Sequence, residues 1–506
     1  MEPNMSRKRR KPQSEVELKN YKVTNFVNDK IFSPIETGSV KKLADAAIEI
    51  LTEIGMSDAP EELCELVLEH GGKLEGNRLI YPPDLITNTI EQHQRIVLLA
   101  GQTIENDLHV GGNYVYAGTG GAAPNLQKPQ TNEYVPSKLK DLYNAARLAD
   151  RLTNISFFSR SLVAGDIEDP LEFDLSTAAA SLAGTSKHVM VQAAHWSHVI
   201  AIAELCYKIA GGKESFRKRP FLSLHVNHAV PPLRFDPASI KVMMEAVKLG
   251  IPVHCNVFGQ LGASSPVTIA GSVSQTLAEN LAGLVAVHIL DPNAASIAGP
   301  RPMITDLRTG GMAGGAPEQL MATAAAVQVM RYWKVPCSVI AGATDSKLID
   351  FQSGYEKAFT INSAVQTGAN LITQAAGSQA SLMAVNYGAM VADNELIGIL
   401  FRSNIIPEIS DETLMHYSIK EVVNSEGHFL GQPETYARMK SDFYYPEIAE
   451  RKSIEEWANS EKIDMGKRAE TEALKILKNY WPNHLPAKIV DELNNQFPLD
   501  LKRSDP

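Results

Sequence analysis

The sequence predicts an α/β protein: a closed (β/α)8 barrel, the TIM-barrel architecture, with an N-terminal helical layer and a C-terminal helical extension. Three observations predict it. Eight short β-rich runs alternate with helical stretches between residues 111 and 402, with turns rich in Gly, Pro, Asn or Ser between them. Strands separated by helices must run parallel, because parallel neighbours cannot be joined by a tight hairpin. An open doubly wound sheet is disfavoured because "GTGG" at 118–121 lacks the third glycine of a GxGxxG turn and runs into "AAPN" rather than a helix.

The elements follow in order. Residues 1–37 form a basic lead-in, whose start "MEPNMSRKRRKPQSE" has no apolar stretch behind it and so does not read as a secretory signal. Its cluster Arg7-Lys8-Arg9-Arg10 reads as a disordered tail, the alternative being contact with an acidic partner. Residues 38–110 form the helical layer, with a short extended piece before a Pro-Pro helix start in "RLIYPPDLI" (78–86). The barrel spans 111–402. Its strands are expected in "NYVYAGTG" (113–120), "NISFFSRS" (154–161), "KHVMVQAA" (187–194) and "PFLSLHVN" (220–227). They continue in "IPVHCNVF" (251–258), "AASIAG" (294–299), "PCSVIAG" (336–342) and "ANLITQAA" (369–376). Helices are expected over Ser137–Asp150, Pro237–Leu249, Ser265–Ile289, Pro317–Trp333 and Asp350–Thr367, with Ser378–Phe401 as the closing helix. Residues 403–506 are helical and more charged, suited to covering one barrel face or to a homo-oligomer contact.

Bulk properties narrow the function. A net charge of −10 and a pI near 5.8 argue against nucleic-acid binding, which needs clustered cations. No apolar run approaches the ~20 residues that cross a bilayer, so no membrane partner is expected. Cys64, Cys206, Cys255 and Cys337 are scattered without a CxxC pair, which fits a reducing cytoplasm.

In such barrels the chemistry lies at the carboxyl ends of the strands. Those ends carry Gly118–Gly121, Ser159-Arg160-Ser161, Gln192, His195, His225-Val226-Asn227-His228, Asn256, Phe258-Gly259-Gln260, Arg301, Asp345-Ser346-Lys347 and Gln374. A metal site would draw on His195, His225, His228, His254 and Cys255. Strand alternation sends His254 inward near the barrel floor and Cys255 toward the helices, and no HxH or HExxH pair reinforces the rest, so no metal is expected. "RTGGMAGGAPE" (308–318), near Arg301 and Arg308, reads as a phosphate cradle, a landing surface for a large partner, or a plain connection.

The turn after the seventh strand stands out. Asp345 or Thr344 can cap the next helix, but capping needs one residue, and this segment supplies Asp345, Lys347, Asp350, Gln352 and Glu356. Gln352 and Glu356, four apart, share a helix face.

The stretches "IAGATDSKLIDFQSGYEKA", "GASSPVTIAGSVSQTLAENLAGLV" (262–285), "DLRTGGMAGGAPE" (306–318), "TGANLITQAAG" (367–377) and "GHFLGQPETYARMKSDFYYPEI" (427–448) resemble the trimethylamine methyltransferase family of corrinoid-dependent enzymes. The likeness runs from about residue 38 to residue 448 and implies a (β/α)8 barrel. Founding members of that family carry pyrrolysine before the Asp-x-Lys that matches Asp345-Ser346-Lys347. The matching stretch here is Ala343-Thr344, one residue shorter and made of standard residues. Members without pyrrolysine demethylate quaternary amines such as glycine betaine, so the resemblance implies a quaternary amine:corrinoid methyltransferase. A tertiary-amine methyltransferase or a non-catalytic betaine-binding barrel are the alternatives. The chain lacks the DxHxxG signature of cobalamin-binding proteins. It is therefore expected to bind no cofactor directly and to meet methylcobalamin on a cognate corrinoid protein.

On that resemblance Asp345, Lys347 and Glu356 are expected at the catalytic centre. Phe258, Phe351, Tyr355 and Phe158 are candidates to hold a trimethylammonium by cation–π attraction, worth ~0.5–2 kcal/mol each, or are simply core. Asp345, Asp350 and Glu356 would add negative charge. A betaine carboxylate would need Arg301, Lys347, His225 or Asn227, with Asn256, Gln260, Gln352 and Gln374 completing the expected substrate site.

Overall fold

The structure is a computed structural model and describes residues 26–28, 31–425 and 427–498, so the Arg7–Arg10 cluster lies outside the described residues. Eight parallel strands form the barrel: β1 (Tyr116–Ala117), β2 (Phe157–Ser159), β3 (His188–Val191), β4 (Leu222–Val226), β5 (Val253–Val257), β6 (Ser296–Pro300), β7 (Ser338–Ile340) and β8 (Leu371–Thr373). The ladders run continuously from β2 to β6, and from β7 through β8 to β1. Parallel bridges Gly118–Phe157 and Ala298–Cys337 join the two arcs, so the barrel closes and leaves no edge.

Each strand feeds a helix on the outside: α1 (Leu139–Arg151), α2 (Pro170–Gly184), α3 (Trp196–Ala210), α4 (Pro237–Leu249), α5 (Ile269–Leu290), α6 (Pro317–Trp333), α7 (Phe351–Thr367) and α8 (Tyr387–Ser403). The caps follow local chemistry. Asp169, Asp236 and Asp350 accept from backbone N–H groups at the starts of α2, α4 and α7, and Gly250 and Gly368 end α4 and α7 in the left-handed region. Two expectations change here. The closing helix starts nine residues late, because Ser378–Gln379 and Ala384–Asn386 form a hairpin before it. Helix α5 is long and apolar enough to cross a bilayer by length and composition, but it lies mostly inside the protein and carries the buried Gln275, Glu279 and Asn280.

Strand alternation sorts the barrel's side chains into interior and helix-facing sets. Val97, Leu99, Leu108 and Val110, from the hairpin Ile96–Leu99/Leu108–Gly111, cluster with the interior residues Tyr116, Phe157, Met190, Ile297 and Leu371. This apolar layer plugs one end. At the carboxyl end, the β-hairpin before α8 pairs with Asn125–Gln127 and Tyr134–Pro136 in a small four-stranded sheet. Residues 37–92 add three α-helices and a π-helical turn at Ile50–Ile54, and Met465–Asn479, with its buried Ala469, Ala473 and Ile476, packs against α8. Residues 407–447 form a separate unit of three short helices, Asp411–Leu414, His416–Val423 and Pro433–Arg438.

Candidate active site

A cavity of about 270 Å³ opens at the carboxyl ends of the strands. The inward alternation of β4 brings His225 to it, and the strand's end adds Asn227. The ends of β2 and β3 supply Ser159, Arg160 and Gln192, and residues just past β5 and β6 supply Phe258 and Arg301. Gln374, after β8, holds its backbone at φ +60° and satisfies its neighbours with its amide oxygen toward the Gly121 N–H at 3.1 Å. Met190 and Leu382 contribute apolar wall.

The charge in this cavity is one-sided. Arg301 is 3% exposed, and burial pushes its guanidinium down to about 9. It has no ion-pair partner among the described residues; it reaches Ser338 Oγ at 3.3 Å, and its Nε has no hydrogen-bond acceptor. Arg160 donates to Gln192 Oε1, and burial lowers its pKa, with nearby Asp174 opposing the shift. Among the described residues no Asp or Glu lines the cavity. A buried cation without a counter-ion is costly unless something anionic completes it; Arg301 stands in that position, while Arg160 feels the charge of Asp174.

Below the cavity lies a polar column. Asn256 Nδ2 lies 2.7 Å from His225 Nδ1, and the His225 ring stacks on His254 at 4.6 Å. Asn256 fits only because residue 299 is glycine, where an added Cβ would meet its Oδ1 at 2.1 Å. Burial, then neighbouring His254 and the two arginines, hold His225 well below the usual histidine range. Among the described residues no three His, Cys, Asp or Glu side chains stand close enough to hold a metal ion. His195 is exposed at the start of α3, and His228 is buried against the Glu279 carbonyl of α5.

The polar turn after β7 has another role. Asp345 accepts from the N–H groups of Gly314 (3.0 Å) and Gly315 (3.3 Å) and from Ser381 Oγ (2.7 Å). Glu356 is buried and accepts from Thr344 Oγ1 (2.5 Å), the Asp345 N–H (2.8 Å) and Gln352 Nε2 (2.8 Å). A Cβ on residue 315 would stand 2.3 Å from the Glu356 carboxyl carbon, which is why glycine sits there. Asp350 caps α7 and accepts from Ser346 Oγ. The Lys347 carbonyl accepts from Gln127 and Tyr134 of the small sheet, while its ammonium is exposed. The excess polarity therefore ties three loops together around the mouth.

The structure thus brings His225, Asn227, Phe258, Arg301 and Gln374 to the cavity, with Asn256 directly beneath. It places Asp345, Lys347, Asp350, Gln352 and Glu356 in the loop brace, outside the cavity lining. Gln260 is exposed in the β5–α5 loop. Phe351 (87% exposed) and Tyr355 (46%) are exposed on α7, meet each other and stand outside the cavity lining, and Phe158 is fully buried in the main core, clear of that lining too. Arg160 and Gln192 also line the cavity, outside the expected substrate site; their place at the ends of neighbouring strands is the signal the sequence carries, and their mutual hydrogen bond appears only in the structure.

Ala343, in the short Ala343-Thr344 stretch before Asp345, is buried. Its methyl packs with Met303 and Ile340, flanked by Phe258, Met312 and Leu382, so this part of the turn is an apolar wall of standard residues.

Comparison with known proteins agrees with this architecture. The family profile described as "Trimethylamine methyltransferase (MTTB)" matches residues 4–500. The chain is 28% identical over 455 residues to a glycine betaine methyltransferase of Desulfitobacterium hafniense, covering 90% of this chain and 94% of the relative. It is 28% identical over 452 residues to a trimethylamine methyltransferase of the same species, covering 89% and 90%. The crystal structure of the Methanosarcina barkeri monomethylamine methyltransferase superposes with a TM-score of 0.54 at 14% identity, covering 89% of each chain, a likeness of fold.

Proposed function

From the premise that this chain belongs to the trimethylamine methyltransferase family, and so is a methyltransferase, we propose that its methyl donor is a quaternary amine bearing a carboxylate, such as glycine betaine. The acceptor in this reading is the Co(I) corrinoid of a separate protein. The observation that carries it is the pair Arg160 and Arg301 in a cavity with no acidic lining. Two guanidiniums repel a substrate that is only a cation. They attract one whose far end is anionic, through charge-assisted bonds of the kind arginine makes to carboxylates.

The residues then act by placement. Arg301 and Arg160 hold the carboxylate, and Asn227 and Gln374 offer amides beside it. Met190, Leu382 and the half-buried Phe258 surround the methylated nitrogen with apolar surface and exclude water. The leaving group is a neutral tertiary amine, so no acid has to protonate it, and no carboxyl group is required in the cavity. What remains is to hold one methyl carbon toward the mouth. When bound, the corrinoid supplies a nucleophilic cobalt that takes the methyl group. The loops after β6, β7 and β8 expose Leu307, Leu348 and Met383 around the mouth, apolar side chains suited to cover by such a partner. Ala343, in place of a reactive side chain, supports a donor that needs no activation. Four unpaired cysteines, three of them buried, are in keeping with a cytoplasmic setting.

Thermal-shift titration tests the reading, because a ligand that binds only the folded state raises its stability with concentration. Glycine betaine, proline betaine and carnitine are expected to stabilise the protein, and choline and trimethylamine to leave it unchanged. Equal stabilisation by choline would refute the carboxylate requirement.

A further inference from the structure

We propose that the column His188–Ser223–His254 is a positioning device that presents His225 to the cavity as a neutral donor, its Nε2–H reading the substrate carboxylate. The inference deepens the carboxylate reading above and rests on it.

The proton positions follow one from another. His188 Nδ1 lies 2.8 Å from the Ala100 carbonyl, which can only accept, so that nitrogen carries hydrogen. The other nitrogen of a neutral His188 is then an acceptor, and Ser223 Oγ donates to it at 2.8 Å. Ser223 has spent its hydrogen, so its oxygen accepts from His254 Nε2 at 2.9 Å. A single backbone carbonyl thereby fixes the tautomer of His254, two links away, and leaves its buried Nδ1 without a hydrogen-bond partner. The His254 ring lies 11° from parallel with His225 and sets that ring's plane.

At His225 the same logic runs from the cavity side. Asn256 Nδ2 (2.7 Å) and Arg301 Nη2 (3.5 Å) both face Nδ1, and a guanidinium can only donate. The hydrogen of His225 therefore sits on Nε2. That atom has only Met190 Sδ at 3.3 Å and Ser159 Oγ at 3.4 Å, a weak acceptor and a long contact, and both residues line the cavity. A half-satisfied donor at the cavity wall, between two arginines, suits a carboxylate oxygen.

The groups facing His225 are His188 from β3, His254 from β5, Arg160 beyond β2 and Arg301 beyond β6, none of them acidic. A second proton on the ring would meet this positive surround, so the ring stays neutral and its donor direction does not change with pH across the working range.

The test is the side-chain 15N spectrum of the full chain labelled at histidine, with the His225 signal identified by its loss in His225→Gln. In the ligand-free wild type, His225 is expected as the Nε2–H form with no titration between pH 6 and 8. Ser223→Ala breaks the column without touching the cavity. It is expected to release the plane of His254 and, through the stacked pair, that of His225, leaving the Nε2–H tautomer set by Asn256 and Arg301 in place. Glycine betaine binding is expected to weaken about three- to tenfold by calorimetry, the size of one modest hydrogen bond. Ser223→Thr is expected to restore the affinity. A wild-type His225 protonated on Nδ1, or a Ser223→Ala protein with unaltered affinity, overturns the proposal. Absence of any betaine binding with the Nε2–H form in place overturns the carboxylate reading and the donor's role with it, while the tautomer argument stands.

Discussion

The Arg301 guanidinium lies 5.2 Å from the centroid of the Phe258 ring. One face of the ring is thus taken by a protein cation, which leaves Phe258 its other face and edge toward the cavity. Arg301→Met removes the charge while keeping much of the bulk. A charge-assisted hydrogen bond is worth about 1.5–3 kcal/mol, so KM for glycine betaine is expected to rise about 10- to 100-fold. Steady-state kinetics check it, and an unchanged KM would place the carboxylate elsewhere.

Asp345 is expected to act on the loops rather than on the substrate. Asp345→Ala leaves the Gly314 and Gly315 N–H groups and Ser381 without their acceptor. The variant is expected to lose about 1–3 kcal/mol of stability and to exchange those two amide hydrogens faster. Full protection at Gly314 and Gly315 in the variant would contradict the brace.

Much of the fold was legible because a barrel repeats one simple unit. All eight predicted strand segments overlap an observed strand, since each is a short apolar run between a helix stop and a polar turn. The hairpin at Ser378–Asn386 was missed: "SQASLMAVN" has neither clear alternation nor an Asn-Gly turn, and its pairing partner, Asn125–Gln127, is distant in sequence. At the site, Arg301 and His225 were legible from strand-end position. The turn at Asp345 is harder to read, because polarity that braces loops and polarity that binds substrate look alike in one dimension. Only the distances from Asp345 to Gly314 and Ser381 separate the two.

Glu279 gives a pH signature. Burial pushes its carboxyl up to about 7, against partial relief from the Leu233 N–H and Gln275. The unfolded chain releases this proton near its ordinary value, so between about pH 4.5 and 7 the folded state holds more protons. Stability from this group therefore falls as pH rises through that window. Glu279→Gln is expected to flatten the fall, gaining on the order of 2 kcal/mol over the wild type at pH 8 and little at pH 4.5. Denaturant unfolding at several pH values measures it; a gap that does not widen with pH would contradict the assignment.

Phe351 and Tyr355 present their rings to solvent on α7. Phe351→Ala and Tyr355→Ala are expected to change stability by less than about 0.5 kcal/mol and to leave methyl transfer to free reduced cobalamin unaltered. A loss of rate with the free corrinoid would bring that helix face into the reaction.

The most direct measurement follows methylcobalamin formation spectrally, with reduced cobalamin as acceptor and glycine betaine, choline or trimethylamine as the sole methyl donor. Glycine betaine alone is expected to support the reaction in the wild type, and Arg301→Met to abolish its advantage over choline. Turnover with trimethylamine, or with choline at the betaine rate, would contradict a cavity built around a carboxylate.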